Sequence, residues 1–502
     1  IVPANTTYTW TVVDNTNVTG DVDEPTAKTN ISQTLTNLTN TAQSVVYTVT
    51  PTSGAAGNCV GATFTVTVTV SPKPTVANET TSVCSRSAFT VTPTTGNGNI
   101  IAASTTYSWA IPVMESGITG GAAGLAASNL TSISGTLINS TNAPLKATYT
   151  VTPKSGVCNG APFTVEVTVN PKPEIPAQTA TICSGTAFPF VLANASPTAA
   201  TIIPVNTTYT WTVATNINVT GQSAQPTPQS NISQTLTNLT NTAQNVVYTV
   251  TPVSGAQGLC PGANFTITVT VNPKPYVSAQ TASACSGAAF SVSPANATVN
   301  NHIVPTGTTY TWTVEDNVNV TGDVNQAVGQ STIGQTLNNL TNTTQTVVYT
   351  VTPTSGTAGN CVGETFILTV SVYPKPFVTP RTETICSGQT FTTTPVNNLP
   401  DTTTIVPTGT TYTWTVVDNT SVSGESNVSI AQSSISQTLV NNSNTVQTVT
   451  YTVTPKSGDT GLCVGSPFTI TVSVNPKPVI LNQTTTICSD AAFTINPSNA
   501  AP

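Results

Sequence analysis

Ten cysteines are the side chains of this 502-residue sequence whose type and spacing best suit a chemical task. Cys59, Cys158, Cys260, Cys361 and Cys463 form one series, and Cys84, Cys183, Cys285, Cys386 and Cys488 form a second, each 25 residues after its counterpart. A zinc ribbon would need Cys-x-x-Cys pairs or histidines; the chain has no such pair and one histidine, His302. Ten thiols in strict register without metal-ligand spacing point to disulfides, and so to an oxidising compartment. General acid–base catalysis and phosphate clamping need convergent ionisable groups. Here 11 Lys+Arg and 18 Asp+Glu make the chain 6% charged, against roughly 25% in ordinary domains. No catalytic site and no cofactor are expected. A net charge of -7 without clustered Lys or Arg argues against a nucleic-acid partner.

Other residues with chemical potential each have a plainer explanation. The tryptophans Trp10, Trp109, Trp211, Trp312 and Trp414 could stack on sugars, but they alternate with Tyr and Val on what should be an inward face. Asp21, Asp23 and Glu24 could hold calcium; the third repeat has Gln222, Ser223 and Ala224 there, and no Asp-x-Asp-x-Asp-Gly loop occurs. Asn-x-Thr/Ser triplets such as those at Asn17, Asn30, Asn37 and Asn129 are expected by composition alone. Thr-x-Thr rows could bind ice, yet outward Thr is also what a low-charge β surface is made of. Isopeptide chemistry at Lys73, Lys172, Lys274, Lys375 or Lys477 would need a buried carboxylate beside a lysine whose Pro-Lys-Pro setting is expected to be wet.

The tryptophans recur at intervals of 99 to 102 residues, as does Pro-Lys-Pro, beginning at Pro72, Pro171, Pro273, Pro374 and Pro476. Proline-flanked lysines fix an extended backbone that cannot join a ladder, which makes them linkers. The division is 75–173, 174–275, 276–376 and 377–478 for whole repeats, with 1–74 lacking the first strands and 479–502 supplying only those strands. This out-of-phase cut implies a window onto a longer chain. Period-two alternation places Phe64, Val66, Val68 and Val70 on one face of an antiparallel strand, with Tyr8, Trp10 and Val12, and Val45, Tyr47 and Val49, facing inward on two others. Weaker strands are expected over 88–93 and 31–38. About seven short strands per hundred residues are the dimensions of a two-sheet sandwich. The fold class is therefore all-β, a tandem array of β-sandwich domains in an extended rod. No run of about 18 apolar residues suits a membrane span.

A Trp in an early strand and a Tyr in a later one look like strands C and F of an immunoglobulin-type domain, without the inter-sheet Cys pair. Four motifs are more specific: Ile-Cys-Ser-Gly-x-x-Phe (Ile182 to Phe188), Thr-Tyr-Thr-Trp-Thr-Val (Thr309 to Val314), Val-Val-Tyr-Thr-Val-Thr-Pro (Val45 to Pro51), and Phe-Thr-Val-Thr-Val followed by Asn-Pro-Lys-Pro. Together these resemble the PKD-like tandem repeats of giant cell-surface adhesins of gliding Bacteroidota, cargo of the type IX secretion system. The resemblance spans the chain and implies an extracellular, surface-displayed stalk with no catalytic residues to carry over. Expected partners are neighbouring repeats, and surface polysaccharide or the secretion and motility machinery.

On the immunoglobulin-type plan, strand G starts at a domain's leading end and strand B at its trailing end. Cys158 and Cys84 would then lie a strand length apart, beyond the 7 Å Cα limit for a disulfide. Pairing Cys84 with Cys260, Cys183 with Cys361 and Cys285 with Cys463 would staple consecutive domains, the partners of Cys59, Cys158, Cys386 and Cys488 lying outside the segment. The alternative joins Cys84 to Cys158, and so on, within each domain. The favoured function is a stalk stiffened by disulfides and Pro-Lys-Pro linkers; a distributed carbohydrate-binding module, or the accessory stalk of a secreted enzyme, is the alternative.

Overall fold

The computed structural model describes all residues except 55–56, 191–200, 256–257, 298, 357–358, 459–460 and 498–502. The chain is all-β, a tandem array of two-sheet sandwiches with no α-helix among the described residues. The third repeat shows the plan. Its larger sheet has the order Gln178–Cys183, Phe265–Asn272, Gln244–Val253, Thr208–Val213, Gln225–Gln229. Its smaller sheet has Ile232–Asn238 between Thr186–Phe190 and Val219–Thr220.

Strict alternation explains the core. Val246, Tyr248 and Val250 of one strand, Ile267, Val269 and Val271 of the next, and Tyr209 and Trp211 of a third turn inward to meet Phe188, Ile232 and Leu236 from the facing sheet. Each such side chain removed from water contributes about 1.5–3 kcal/mol before the entropy of ordering is subtracted. Polar tips stay paired inside. The Tyr248 hydroxyl donates to Gln234 Oε1 at 2.7 Å, Gln234 Nε2 donates to the Ser223 carbonyl at 2.8 Å, and Trp211 Nε1 donates to that same carbonyl at 3.1 Å. Burial pushes the Tyr209, Tyr310 and Tyr412 hydroxyls up to about 12.

Two features depart from the sequence expectation. The last strand of each whole repeat is antiparallel to the Tyr strand but parallel to the first strand, as in Gln178–Cys183 against Phe265–Asn272. Alternation reveals which side chains face inward but carries no information on the direction of a neighbour. The parallel register sets Cys183 opposite Asn272, immediately before the linker Pro273 to Pro275. In the second repeat Pro112, which has no N–H to donate, splits the Trp strand into Thr106–Trp109 and Val113–Met114. There the Trp109 ring lies directly on Gly124, where any Cβ would overlap it.

The first repeat is open on one flank. Residues 1–74 form the sheet Glu24–Lys28, Thr7–Val12, Gln43–Thr52, Phe64–Val70 and the short pair Val18–Thr19 with Thr36–Asn37. The strand expected over 31–38 is reduced to Thr36–Asn37, paired with Val18–Thr19. Phe64 is 42% exposed where its counterpart Phe265 is 5% exposed.

Candidate functional site: the disulfide junctions

The parallel first strand delivers one cysteine of each bridge. Cys84, Cys183 and Cys285 end their strands beside Asn170, Asn272 and Tyr373, the residues that lead into the Pro-Lys-Pro linkers. The other cysteine sits in the loop after the Tyr strand of the following repeat. A buried serine fixes it there: the N–H of Cys260 donates to Ser254 Oγ at 3.0 Å, and those of Cys361 and Cys463 donate to Ser355 and Ser457 Oγ at 2.8 Å. The bonds are Cys84–Cys260, Cys183–Cys361 and Cys285–Cys463, with Cα–Cα distances of 5.6, 5.6 and 5.7 Å. Each joins neighbouring repeats. Cys59, Cys158, Cys386 and Cys488 are free thiols.

The linkers are not loose tethers. Pro171 and Pro173, Pro273 and Pro275, and Pro374 and Pro376 are buried, while the intervening Lys172, Lys274 and Lys375 are half-buried. The expectation of solvated linker lysines holds for Lys73 and Lys477, which are exposed, and less fully for the other three; the flanking prolines pack inside, where an N–H-free ring with a fixed φ leaves no donor unpaired. Lys274 pairs with Glu364 at 3.6 Å and Arg86 with Glu174 at 2.8 Å, so ion pairs also cross two of the junctions.

Close approach explains the glycines next to the cysteines. Gly258 and Gly359 have φ of +116° and +95°, and a Cβ on either would overlap the Nδ2 of Asn170 or Asn272 in the preceding repeat. Gly359→Val is expected to hold the loop off Asn272 and add the cost of a β-branched residue at positive φ, about 1–2 kcal/mol. Thiol titration of the unfolded, unreduced chain should then rise from four thiols to six. A count that stays at four would show that the junction closes without the glycine.

The remaining candidates resolve into structural roles. All five tryptophans are buried, at 4–8% exposure, and present no platform. Asp21 accepts the Asn15 N–H at 2.8 Å, and Gln222, Asp323 and Glu425 accept from Asn216, Asn317 and Asn419 at the equivalent turns. A neutral Gln serves as well as a carboxylate, so these positions hold a loop by hydrogen bonding. Asp23 likewise accepts the Val12 N–H, a place taken by Asn325 and Asn427 in later repeats. The Glu24 carboxyl is held below its usual range chiefly by the Thr26 hydroxyl, with Lys28 3.4 Å away. His302 Nε2 lies 2.7 Å from Ser278 Oγ and accepts the Ser278 N–H at 3.2 Å. Asn99 accepts the N–H of the equivalent Ala77, and Asp401 accepts the hydroxyl of the equivalent Thr379, so His302 serves as a hydrogen-bond acceptor that other residue types replace in other repeats.

One site was not legible in the sequence. Asn37, Asn139, Asn238, Asn339 and Asn441 are buried, and each is a four-bonded hub. Asn238 Nδ2 donates to the carbonyls of Thr242 and Val271 at 2.7 and 2.8 Å, while its Oδ1 accepts from the Thr240 N–H and hydroxyl at 2.9 and 2.8 Å. Its own N–H donates to Ser184 Oγ at 2.9 Å, which explains the Ser of Ile-Cys-Ser-Gly. The Asn-Leu-Thr at Asn37 recurs at Asn238 and Asn339 at domain spacing, but so does Asn17-Val-Thr at Asn218 and Asn319, so recurrence does not single it out; burial does, and it removes Asn37 as a glycan acceptor.

The sequence profile of the PKD-like domain matches residues 2–74, 81–173, 180–275, 278–376 and 383–478. Among solved structures, Sidekick-1 immunoglobulin domains 1–5 align at 10% identity over 94% of this chain and 93% of that one, with a TM-score of 0.21. Drosophila N-cadherin EC1–4 aligns at 13% identity over 73% of this chain and 92% of that one, with a TM-score of 0.20. No curated protein sequence matches the chain.

Proposed function

From the premise that this chain belongs to the PKD-like domain family, in five tandem copies, we propose that it is the structural stalk of a bacterial cell-surface adhesin or filament, built for attachment or gliding and exported by the type IX route. PKD-like and immunoglobulin-like repeats are typically non-catalytic structural modules. Disulfides and such repeats are consistent with an extracellular protein, and among the described residues no helix is long and apolar enough to cross a membrane. The proposed division into working units is 1–74, 75–173, 174–275, 276–376, 377–478 and 479–502.

The observation that carries the proposal is the repetition of one covalent device at three successive junctions. A binding module gains little from a bond between domains. A spacer gains directly, since the linker and the disulfide together restrict bending where a single strand of chain would hinge. Buried linker prolines act in the same direction. Small-angle scattering should show an elongated particle about 150–200 Å long, built from sandwiches whose eight-residue strands run about 27 Å. A radius of gyration near the compact value of about 23 Å for this length would end the proposal.

A further inference from the structure

The junctions exchange strands. In each whole repeat the first and last strands lie side by side and run in the same direction, Gln178–Cys183 with Phe265–Asn272 in the third and Gln280–Cys285 with Phe366–Tyr373 in the fourth. The Pro-Lys-Pro linker carries the last strand of one repeat into the first strand of the next, as Phe265–Asn272 leads to Gln280–Cys285. The disulfide makes the opposite connection. Cys84 ends a first strand, and its partner Cys260 stands just ahead of the last strand Phe265–Asn272. Cys183 likewise meets Cys361 ahead of Phe366–Tyr373, and Cys285 meets Cys463 ahead of Phe468–Asn475.

Two continuous covalent threads result. One follows Glu79–Cys84, crosses to Cys260, runs along Phe265–Asn272, through Pro273 to Pro275 and along Gln280–Cys285, and crosses to Cys463 and Phe468–Asn475. The other follows Phe163–Asn170, Pro171 to Pro173 and Gln178–Cys183, crosses to Cys361, and continues along Phe366–Tyr373 and Pro374 to Pro376 into Arg381–Cys386. In the third and fourth repeats the parallel ladder pairs one thread with the other. Residues 184–259 and 286–360, which supply every other strand of those two repeats, lie on neither thread.

Tension favours unfolding by the work it does through the length gained. In a chain without the bridges, the start of Gln178–Cys183 is drawn one way and the end of Phe265–Asn272 the other, so the pair shears and the repeat between them is released. With the bridges, both strands are anchored at both ends. A strand already rises about 3.2–3.4 Å per residue and extended proline-rich backbone about 3.1 Å, against a limit of about 3.3–3.6 Å. Each thread therefore has little length to yield.

We propose that the paired threads make the stretch from Cys84 to Cys463 a length clamp: tension runs along first and last strands, the other strands stand beside them unloaded, and force gains nothing by unfolding the third or fourth repeat. The clamp rests on the stalk reading for its purpose but not for its routing. The routing also separates the bonds by role. Cys84–Cys260 and Cys285–Cys463 lie on the first thread, which alone limits the distance between Cys84 and Cys463 to the backbone from Cys260 to Cys285. Cys183–Cys361 ties the end of one first strand to the start of the next last strand, holding the ladder against shear without setting the length.

The test is single-molecule stretching of the oxidised 502-residue chain by its ends, unaltered, as Cys183→Ser with Cys361→Ser, and as Cys285→Ser with Cys463→Ser. At tensions that lengthen the reduced chain one repeat at a time, the unaltered chain should show no step from the third or fourth repeat. Losing Cys183–Cys361 should leave the fully stretched length unchanged. Losing Cys285–Cys463 sends tension through the body of the fifth repeat and, side by side, through those of the second and fourth, and should add about 600 Å to the fully stretched length. Fully stretched length depends on covalent routing alone, so a variant with less stable repeats reads the same. Steps from the third or fourth repeat in the unaltered chain overturn the clamp, as does equal lengthening in both variants or none in the second. A chain that clamps yet scatters as a compact particle overturns the stalk reading instead.

Discussion

Asn238→Asp is expected to unfold the third repeat selectively while the other repeats keep their transitions. The substitution turns an oxygen toward the Thr242 and Val271 carbonyls, which now receive Nδ2–H bonds at 2.7 and 2.8 Å, and it buries a charge. Leaving two carbonyls unpaired inside the sandwich costs about 3–5 kcal/mol, which for a domain of this size lowers the midpoint by about 15–30 °C. Calorimetry should show one component split off to low temperature. Thr240→Val, which removes only the hydroxyl that donates to Oδ1 at 2.8 Å, should cost about 1 kcal/mol. A single unsplit transition for Asn238→Asp would mean that the hub is dispensable.

The second large effect is mechanical. When the oxidised chain is pulled by its ends until every domain is unfolded, tension passes through the bridges Cys84–Cys260 and Cys285–Cys463. The loaded backbone then runs through residues 1–84, 260–285 and 463–502, about 150 residues or about 500 Å at full extension. With the bridges reduced, all 502 residues carry load and the limit rises to about 1,700 Å. Single-molecule stretching with and without reductant reads this ratio directly, and equal contour lengths would exclude the interdomain bonds. The same bonds close loops of 176 to 178 residues, for which the chain-entropy account gives about 5 kcal/mol each and calorimetric accounts a different, enthalpic origin.

Much of the architecture is legible in the residues because it is carried by simple periods. Alternation in Thr-Tyr-Thr-Trp-Thr-Val, the beat of Trp, Cys and Pro-Lys-Pro, and the scarcity of charge all report local geometry or composition, which survive in one dimension. The parallel partnership of the first and last strands is not local. Nothing in Gln178–Cys183 distinguishes a parallel neighbour from an antiparallel one; the choice is made by where the chain must cross the sandwich. The hub asparagines were hidden for another reason. In a sequence so rich in Asn and Thr, Asn37-Leu-Thr39 looks the same as an exposed triplet such as Asn17-Val-Thr19, and only burial separates them. His302 shows the converse: Asn99 and His302 accept the N–H of Ala77 and Ser278, and Asp401 accepts the hydroxyl of the equivalent Thr379, so three chemical classes serve one place and their equivalence appears only in three dimensions.

The three bonded intervals, 84 to 260, 183 to 361 and 285 to 463, overlap one another. Every peptide bond from Cys84 to Cys463 is therefore enclosed by at least one of them. Hydrolysis of any single bond in that stretch leaves both fragments on one covalent network, and the nicked chain migrates as a whole until it is reduced. The chain thus stays in one covalent piece through a first cut at any bond in this region, and separation of its two ends requires a second cut suitably placed or the loss of a disulfide.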